Sequence, residues 1–325
     1  MSSRRTVDVP TLIERARAGE ARAVARLITL VENDHPALRE IAAALAPHTG
    51  RAQVIGLTGA PGVGKSTSTS MLVSALRADG LRVGVLAVDP SSPFTGGAIL
   101  GDRVRMQQHA TDPGVYIRSM SSRGHLGGLA AATPQAVRVL DAAGCDVILV
   151  ETVGVGQAEV EVASLADTTL VLLAPGMGDA IQAVKAGILE VADIFVVNKA
   201  DRDGADATVH DLRAMLALQT REPGQWRPPV VKTVAHAGTG VEELMAAVRR
   251  HQDWLSEHGE LTRRRRARAA AEIEAIALAT LRARIGDLRG GAVLEALADK
   301  VVAGEQDPYR AADELLAGLE SAVTA

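Results

Sequence analysis

The spacing of hydrophobic residues divides the chain into three parts. Over residues 1–50, apolar side chains recur at steps of three and four, which is typical of amphipathic helices. From about residue 51 to residue 250, short apolar runs rich in β-branched residues alternate with helical patterns. Beyond residue 250 such runs disappear from the sequence, and an apolar stripe at helical spacing extends from Ile273 to Leu288. We therefore predict a helical N-terminal arm (1–50), a central domain (51–250) and a helical C-terminal extension (251–325).

The short apolar runs of the central domain predict a parallel β-sheet. Each run is almost continuously hydrophobic, as expected for a strand that is buried on both faces. Strands that alternate with helical segments in this way form an α/β fold, in which helices flank a mostly parallel central sheet. The predicted strands are Val54–Thr58, Val83–Val88, Val115–Ile117, Val147–Val150, Thr169–Leu173, Ile194–Val197 and Val230–Val234.

Composition narrows the classes of function. The chain has 325 residues, of which 47% are hydrophobic and 23% are charged, and its net charge of −4 gives no reason to expect nucleic acid or an anionic membrane as a partner. No uncharged apolar stretch approaches the roughly 20 residues that a bilayer span needs. The single cysteine, Cys145, excludes an intrachain disulfide and a cysteine-based zinc cluster. We therefore expect a cytoplasmic protein with no membrane partner.

A glycine-rich loop directly follows the first predicted strand. Residues Gly59–Ser66 read GAPGVGKS, which matches the P-loop pattern G-x-x-x-x-G-K-[ST], and a helical pattern follows. In this context backbone N–H groups and the helix N-terminus surround a phosphate, Lys65 reaches the β- and γ-phosphates, and Ser66 can ligate Mg²⁺. The predicted nucleotide contacts here are Gly59, Ala60, Pro61, Gly62, Val63, Gly64, Lys65, Ser66 and Thr67.

A second motif indicates which base is bound. The predicted strand Ile194–Val197 leads into Asn198-Lys199-Ala200-Asp201, the N-K-x-D pattern of guanine-specific sites. The carboxylate of Asp201 can accept two hydrogen bonds from guanine, and a buried polar pairing of this kind rejects a base that leaves it unpaired. Lys199 is expected to lie along the base. The backbone near Ala235, after the last predicted strand, would complete the pocket.

Acidic residues at the ends of strands are the candidates for metal binding and hydrolysis. Asp89 closes one predicted strand, Asp102 follows it, and Glu151 opens the segment E-T-V-G. We predict Mg²⁺ ligation by Ser66, Asp89, Asp102 and Glu151, with Glu151 also holding a water. Gly154 is expected to donate its N–H to the γ-phosphate, which makes Lys65, Glu151 and Gly154 the predicted catalytic residues. No glutamine directly follows Gly154, so we expect slow intrinsic hydrolysis.

Five segments carry a resemblance to a known family. They read GAPGVGKST, VDPSSPFTGGAILGDRVRM, SSRGHLGGLA, ETVGVGQAEVEVA and NKAD. Together they resemble the bacterial MeaB and mitochondrial MMAA GTPases, also called ArgK-like, which are associated with methylmalonyl-CoA mutase. This family lies in the metallocentre-assembly group of P-loop GTPases. The resemblance extends over essentially the whole chain.

The resemblance implies a chaperone that binds and hydrolyses GTP in the presence of Mg²⁺. Such a chaperone gates the delivery of adenosylcobalamin to methylmalonyl-CoA mutase and protects that enzyme, with an adenosyltransferase as a further partner. The resemblance also implies a homodimer formed largely through the C-terminal extension. It marks Gly176–Lys185 as a switch segment with the polar residues Asp179, Gln182 and Lys185.

Three other functions stay open at this point. A P-loop kinase would need an acceptor-binding lid and a catalytic base, and the sequence identifies neither, while N-K-x-D argues against ATP. A metallochaperone GTPase for another metalloenzyme is disfavoured because Cys145 stands alone and the eight histidines are dispersed. A scaffold in which nucleotide only stabilises a dimer is disfavoured by the acidic residues near the phosphate loop.

Overall fold

The computed structural model describes residues 8–89, 107–121, 132–152, 158–176, 189–220, 222, 224–285 and 292–324. The chain divides into two compact units, Met1–Thr262 and Arg263–Ala325. The first unit contains the β-sheet and the P-loop. In the described part of the chain, no helix is both long enough and apolar enough to cross a membrane.

A seven-stranded sheet forms the centre of the first unit. Its strands follow the order β3-β2-β4-β1-β5-β6-β7, and each neighbouring pair is parallel. This confirms the predicted α/β fold. The strands are β1 (Gln53–Gly59), β2 (Val83–Asp89), β3 (Val115–Ser121), β4 (Val147–Thr152), β5 (Thr168–Leu173), β6 (Ile194–Val197) and β7 (Val230–Lys232).

The last strand is shorter than its apolar run. We expected it to continue to Val234, but β7 ends at Lys232. The backbone N–H of Val234 instead donates to the carbonyl of Thr239 over 3.0 Å, in an isolated antiparallel bridge. The chain therefore turns away from β6 at this point, and the turn that follows carries Ala235 towards the P-loop.

Helices cover both faces of the sheet. In β4, Val147 and Leu149 join one core with the helices that span residues 65–78 and 241–257. Ile148 and Val150 join a second core with the helices that span residues 133–142 and 158–165 and with the N-terminal helices. This alternation explains why the strands read as continuous apolar runs. The helices of the first unit are α1 (Val9–Arg17), α2 (Ala21–Glu32), α3 (Leu38–Leu45), α4 (Lys65–Ala78), α5 (Thr133–Ala142), α6 (Ala158–Leu165), α7 (Leu189–Val191), α8 (Ala205–Ala217) and α9 (Val241–Glu257).

The helices α1–α3 pack beside the edge strand β3. Leu27 and Ile41 are fully buried in the core that these helices share with α5 and the sheet. The hydroxyl of Tyr116, on β3, donates to the carbonyl of Gly19 over 3.0 Å, and Arg118 forms an ion pair with Glu32. These contacts come from two side chains that are two residues apart and so lie on one face of β3, which is the face that the N-terminal helices contact.

The regular secondary structure in the described part of the C-terminal region is helical. Helix α10 (Glu260–Ile285) runs into the second unit, which also holds α11 (Ala292–Val302) and α12 (Pro308–Thr324). Helix α12 begins after Asp307, whose carboxylate accepts hydrogen bonds from the backbone N–H groups of Tyr309 and Arg310 at 3.0 and 3.1 Å. This is the pairing expected of an N-cap residue.

Candidate functional site

The P-loop connects β1 to α4 and depends on glycine at two positions. Gly59 has a φ of +140°, and a Cβ there would lie 2.3 Å from the carbonyl oxygen of Leu172. Gly64 has a φ of +94°, and a Cβ there would lie 2.4 Å from Nδ2 of Asn198. Both positions therefore need glycine for the backbone conformation and for close approach to a neighbouring strand or side chain.

Lys65 is the first residue of α4, and its side chain folds back over the loop. Its Nζ donates to the carbonyl oxygens of Gly59 at 2.8 Å and Ala60 at 3.1 Å. The side chain is 8% exposed, so the ammonium group lies at the loop instead of in bulk solvent. The positive ends of the α4 backbone dipoles and this ammonium group make the loop favourable for an anion.

Glu151 lies beside the same helix. It is near the end of β4, which pairs with both β1 and β2, and its residue is 4% exposed. The hydroxyl of Ser66 donates to Oε1 over 2.6 Å and the hydroxyl of Thr69 donates to Oε2 over 2.8 Å. The structure thus brings the predicted residues Ser66 and Glu151 into direct contact, together with a threonine that the sequence did not identify.

Asn198 and Lys199 connect the P-loop to the end of β6. The Nδ2 group of Asn198 donates to the carbonyl of Val63 over 2.8 Å, and its Oδ1 accepts from Thr233 Oγ1 at 3.2 Å and from the backbone N–H of Ala235 at 3.0 Å. Lys199, at a φ of +58°, donates through Nζ to the carbonyl of Gly62 over 2.6 Å.

Asn198 and Lys199, two of the predicted residues of the base pocket, therefore both contact the P-loop. Asn198 also contacts Ala235, which the sequence predicts to lie in the same pocket. Asp201 follows on the same turn and is exposed. A groove of ≈ 610 Å³ runs between α4 and the turn after β7. Its lining residues are Thr67, Ser70, Met71, Ser74, Ala75, Gln108, Ala235, His236, Gly238 and Val241.

Several predicted site residues lie outside the described residues. These are Asp102, Gly154 and the three polar residues of the expected switch segment, Asp179, Gln182 and Lys185. Asp89 is described at its backbone, where it ends β2.

Two contacting residues were not predicted from the sequence. Thr69 follows Ser66 by three positions on α4, and residues three apart share a helix face, so helical spacing alone could have identified it. Thr233 directly follows β7, and its hydroxyl donates to Oδ1 of Asn198, which directly follows β6. Its role depends on the pairing of β6 with β7, which the sequence does not give.

The donor set can be tested against Mg²⁺. Ser66 and Glu151 offer only oxygen atoms, and Mg²⁺ prefers oxygen ligands from one or two carboxylates, phosphates and water. Among the described residues, no group of three or more His, Cys, Asp or Glu side chains could hold a metal ion. The described side chains therefore fit a cation that shares its ligands with a bound phosphate.

Comparison with known proteins gives consistent matches. The family model described as "Methylmalonyl Co-A mutase-associated GTPase MeaB" matches residues 24–287. The GTPase ArgK of Escherichia coli is 40% identical over 256 residues, which are 77% of each chain. The mouse mitochondrial methylmalonic aciduria type A homolog is 38% identical over 267 residues, which cover 76% of this chain and 64% of the mouse protein.

A solved structure agrees with the fold. The crystal structure of an LAO/AO transport system kinase matches with a TM-score of 0.73 and 28% sequence identity, over 96% of this chain and 97% of the other. That match extends over both units of the chain. The fold of the sheet and the surrounding helices is thus shared with a protein that has been solved experimentally.

Proposed function

Because the chain belongs to the methylmalonyl-CoA mutase-associated GTPase family MeaB and is a GTPase, we propose that its GTP cycle gates the delivery of adenosylcobalamin to methylmalonyl-CoA mutase and protects that enzyme. The observation that carries the GTPase half of this proposal is the contact between Ser66, at the start of the P-loop helix, and the buried carboxylate of Glu151. The family's association with the mutase supports the other half.

The phosphates of GTP would bind at the P-loop. The N-terminus of the 14-residue helix α4 supplies partial positive charge, and Lys65 is already held at the loop by the carbonyls of Gly59 and Ala60. A β/γ-phosphate would take this ammonium group from those carbonyls, because an ionised acceptor makes the stronger hydrogen bond. Lys65 thus orients the triphosphate and stabilises charge on the leaving phosphate oxygens.

Hydrolysis would use the acidic side of the site. We assign Mg²⁺ ligation to Ser66 and Glu151, with Asp89 and Asp102 as the remaining proposed ligands. Bound Mg²⁺ neutralises charge that develops on the phosphate oxygens. Glu151 additionally holds a water in line with the γ-phosphate, and the N–H of Gly154 donates to that phosphate. Burial of the Glu151 carboxylate supports this role, since its charge is not screened by bulk water.

The base would lie between Lys199 and the turn after β7. Asp201 accepts the two N–H groups on the edge of guanine, and the stem of Lys199 covers one face of the base. The backbone at Ala235 lies beside Asn198, to whose Oδ1 its N–H donates over 3.0 Å.

Two observations support the proposed partners: the family to which the chain belongs, and exposed apolar side chains on the C-terminal helices, such as Ile273 and Val302. We propose that the chain consists of an arm (1–50), a GTPase domain (51–250) and a C-terminal extension (251–325). We also propose that two copies of the chain form a homodimer through this extension. The segment with Asp179, Gln182 and Lys185 is proposed to sense the nucleotide. Methylmalonyl-CoA mutase is the proposed target, and an adenosyltransferase is the proposed source of the cobalamin.

A pull-down with purified methylmalonyl-CoA mutase tests this proposal. We expect the full chain to capture the mutase to different extents in GDP and in a non-hydrolysable GTP analogue, and we expect the mutase to stimulate GTP turnover. Lys65→Ala serves as the control, because loss of the ammonium group should abolish triphosphate binding and make capture independent of the nucleotide. Equal capture in both nucleotides, together with unchanged turnover, contradicts the gating role.

A turnover measurement on the same mixture of chain and mutase distinguishes a GTPase from a kinase. With γ-labelled GTP, we expect all labelled phosphate to appear as inorganic phosphate. Label on the mutase, on the chain itself or on a small molecule would indicate phosphoryl transfer to an acceptor other than water. The E. coli relative is named a GTPase, which supports water as the acceptor.

A further inference from the structure

Thr69 lies at a fully buried position where a hydroxyl needs an explanation. Thr69 lies on α4 and is 0% exposed, and Leu72 and Val73 on the following turn are also fully buried. Burying a hydroxyl costs free energy unless it finds a hydrogen-bond partner. Valine has the same shape as threonine and would fill this position without that cost. The contacts of the threonine oxygen atom therefore decide whether it has a use at this position.

The hydroxyl of Thr69 has two acceptors within reach but only one proton. Its Oγ1 lies 2.8 Å from Oε2 of Glu151 and 3.1 Å from the backbone carbonyl of Lys65, four residues earlier in α4. The carboxylate is the nearer acceptor, and a hydrogen bond to an ionised acceptor is about twice as strong as one between neutral groups. The hydroxyl of Thr69 therefore donates its hydrogen bond to Glu151.

Ser66 and Thr69 hold the two oxygens of Glu151 separately. Their positions, three residues apart, place both hydroxyls on one face of α4, where one contacts Oε1 and the other contacts Oε2. The final torsion of a glutamate side chain is soft, so a carboxylate held at one oxygen can rotate about its own bond. Two hydroxyls on two oxygens fix that rotation.

We propose that Thr69 is a positioning residue for GTP hydrolysis, which holds Oε2 of Glu151 so that Oε1 stays directed at Ser66 and the phosphate side of the loop. This inference rests on the proposed role of Glu151. When Mg²⁺ and the nucleotide engage Ser66, Thr69 keeps the carboxylate in its apo orientation. The second hydroxyl thus prepares the acidic side of the site before the nucleotide arrives, and no reorientation is needed on binding.

Thr69→Val and Thr69→Ser form the central test. In the full chain, Thr69→Val should lower kcat for GTP hydrolysis by about 10- to 100-fold, the usual effect of removing a group that orients a metal ligand, with KM for GTP changed by less than about twofold. Thr69→Ser keeps the hydroxyl and should retain most of the wild-type kcat.

A binding measurement gives a second readout that does not depend on turnover. Mg²⁺ is titrated into the protein with a fluorescent non-hydrolysable GTP analogue, and the half-saturating Mg²⁺ concentration is recorded. We expect this concentration to rise by about tenfold in Thr69→Val and to stay near the wild-type value in Thr69→Ser.

Ser68→Ala is the matched control. Ser68 is the neighbouring residue on α4, is 1% exposed, and its hydroxyl has no hydrogen-bond partner within the described ranges. Removing this buried hydroxyl should leave kcat and the Mg²⁺ dependence unchanged. If Thr69→Val does not fold, as judged by thermal melting, the same comparison is made between Thr69→Ala and Thr69→Ser.

The outcomes separate this inference from the proposed function. Wild-type kcat and Mg²⁺ dependence in Thr69→Val, or an equal loss in Thr69→Ser, overturns the role of Thr69. Glu151→Gln is measured alongside. If Glu151→Gln is impaired while Thr69→Val is not, only the inference about Thr69 fails. If Glu151→Gln turns over GTP at the wild-type rate, the assignment of Glu151 itself fails.

Discussion

At the scale of single residues, the arrangement around the P-loop shows how a few side chains connect distant parts of the chain. Asn198 joins the loop at Val63 to the turn at Ala235, although 135 and 37 residues separate it from these two contacts. Glu151 and Ser66 are 85 residues apart in sequence. The parallel sheet brings these residues together because the carboxyl ends of its strands meet at one edge.

Base recognition is testable at Asp201. Asp201→Asn replaces one acceptor by an N–H donor, which mismatches guanine but matches the 2-oxo group of xanthine. We expect the ratio of affinities for GDP and xanthosine diphosphate to move towards xanthine by at least about tenfold, a change of ~1.4 kcal/mol. Fluorescent-nucleotide competition measures the ratio. Asp203→Asn, at an exposed acid two residues away, should leave it unchanged, and an unaltered ratio in Asp201→Asn would move the guanine site elsewhere.

The lone cysteine gives a prediction about pH. Cys145 is 3% exposed, and burial raises the pKa of its thiol to about 12 from an ordinary value of 9.0. The charge of Arg82 opposes this rise in the pKa, while Asp146 and Asp141 add to it. Above pH 9 the unfolded chain therefore loses this proton while the folded chain keeps it. The free energy of unfolding must then fall as pH rises between about 9 and 12, by at most ~1.4 kcal/mol per pH unit from this group.

Urea unfolding at about pH 8.0, 9.5 and 10.5 tests this pH dependence, because the first value lies below the thiol's ordinary pKa of 9.0 and the other two lie above it. Cys145→Ala lacks the ionising group, so its stability should fall less steeply with pH than that of the wild type. Parallel curves for the two proteins would show that the thiol ionises equally in the folded and unfolded states.

At the scale of elements, the N-terminal helices share a core with the rest of the first unit. Leu27 on α2 belongs to the same cluster as Val139 on α5 and Val150 on β4, and each is 0% exposed. An element that buries its residues in a common core should unfold together with that core. We therefore expect α1–α3 to melt in the same transition as the sheet.

Leu27→Ala tests that expectation. Removing a fully buried leucine side chain should lower the free energy of unfolding by roughly 2–5 kcal/mol, whereas Arg26→Ala, at the exposed neighbouring residue, should cost less than about 0.5 kcal/mol.

Both tryptophans, Trp226 and Trp254, lie near the opposite edge of the sheet: Trp226 donates to the carbonyl of Asp193, just before β6, and Trp254 to that of Gly224.

Because the tryptophans lie far from α1–α3, their fluorescence reports on the unfolding of a different part of the first unit. In urea, far-UV circular dichroism and tryptophan fluorescence should give coincident transitions for the wild type, and both should shift together in Leu27→Ala. A fluorescence transition that stays in place while the dichroism changes would mean that α1–α3 unfold independently of the sheet.

The elements also show what the sequence could and could not predict. All seven strands were predictable because burial on both faces makes each run apolar, and the P-loop and N-K-x-D residues were predictable because each motif lies next to its strand. The order of the strands in the sheet was not predictable, because neighbours in the sheet are not always neighbours in the chain. For example, β4 lies between β2 and β1. The contact of Thr69 with Glu151 depends on that order, because it needs β4 to lie beside β1.

At the scale of the whole molecule, the apolar surface of the C-terminal helices needs an explanation. Ile273, Ile276 and Leu281 on α10 are 68%, 52% and 52% exposed, and at 100° per residue they lie on one broad side of the helix. An apolar side of this kind is normally buried against another element or another chain. This surface, defined by Ile273, Ile276 and Leu281, supports the proposed homodimer.

A charge placed on that surface tests the dimer. Sedimentation velocity over a range of concentrations should give wild-type protein twice the chain mass of 33.8 kDa at high concentration. Ile276→Glu should shift the protein towards the monomer, because the dimer would have to bury an unpaired carboxylate. Removing such a carboxylate from water costs on the order of several kcal/mol. The free chain bears the carboxylate in water at little cost, so the variant should still fold and bind nucleotide.

Leu218→Glu provides the comparison in the same experiment. Leu218 is 84% exposed but lies in the first unit, so a charge there has the same effect on solubility without touching the C-terminal helices. Dissociation by Ile276→Glu alone would assign self-association to the extension. Dissociation by Leu218→Glu alone would instead place the contact on the GTPase domain. A wild-type protein that stays monomeric at every concentration would mean that the exposed side of α10 serves a partner other than a second copy of the chain.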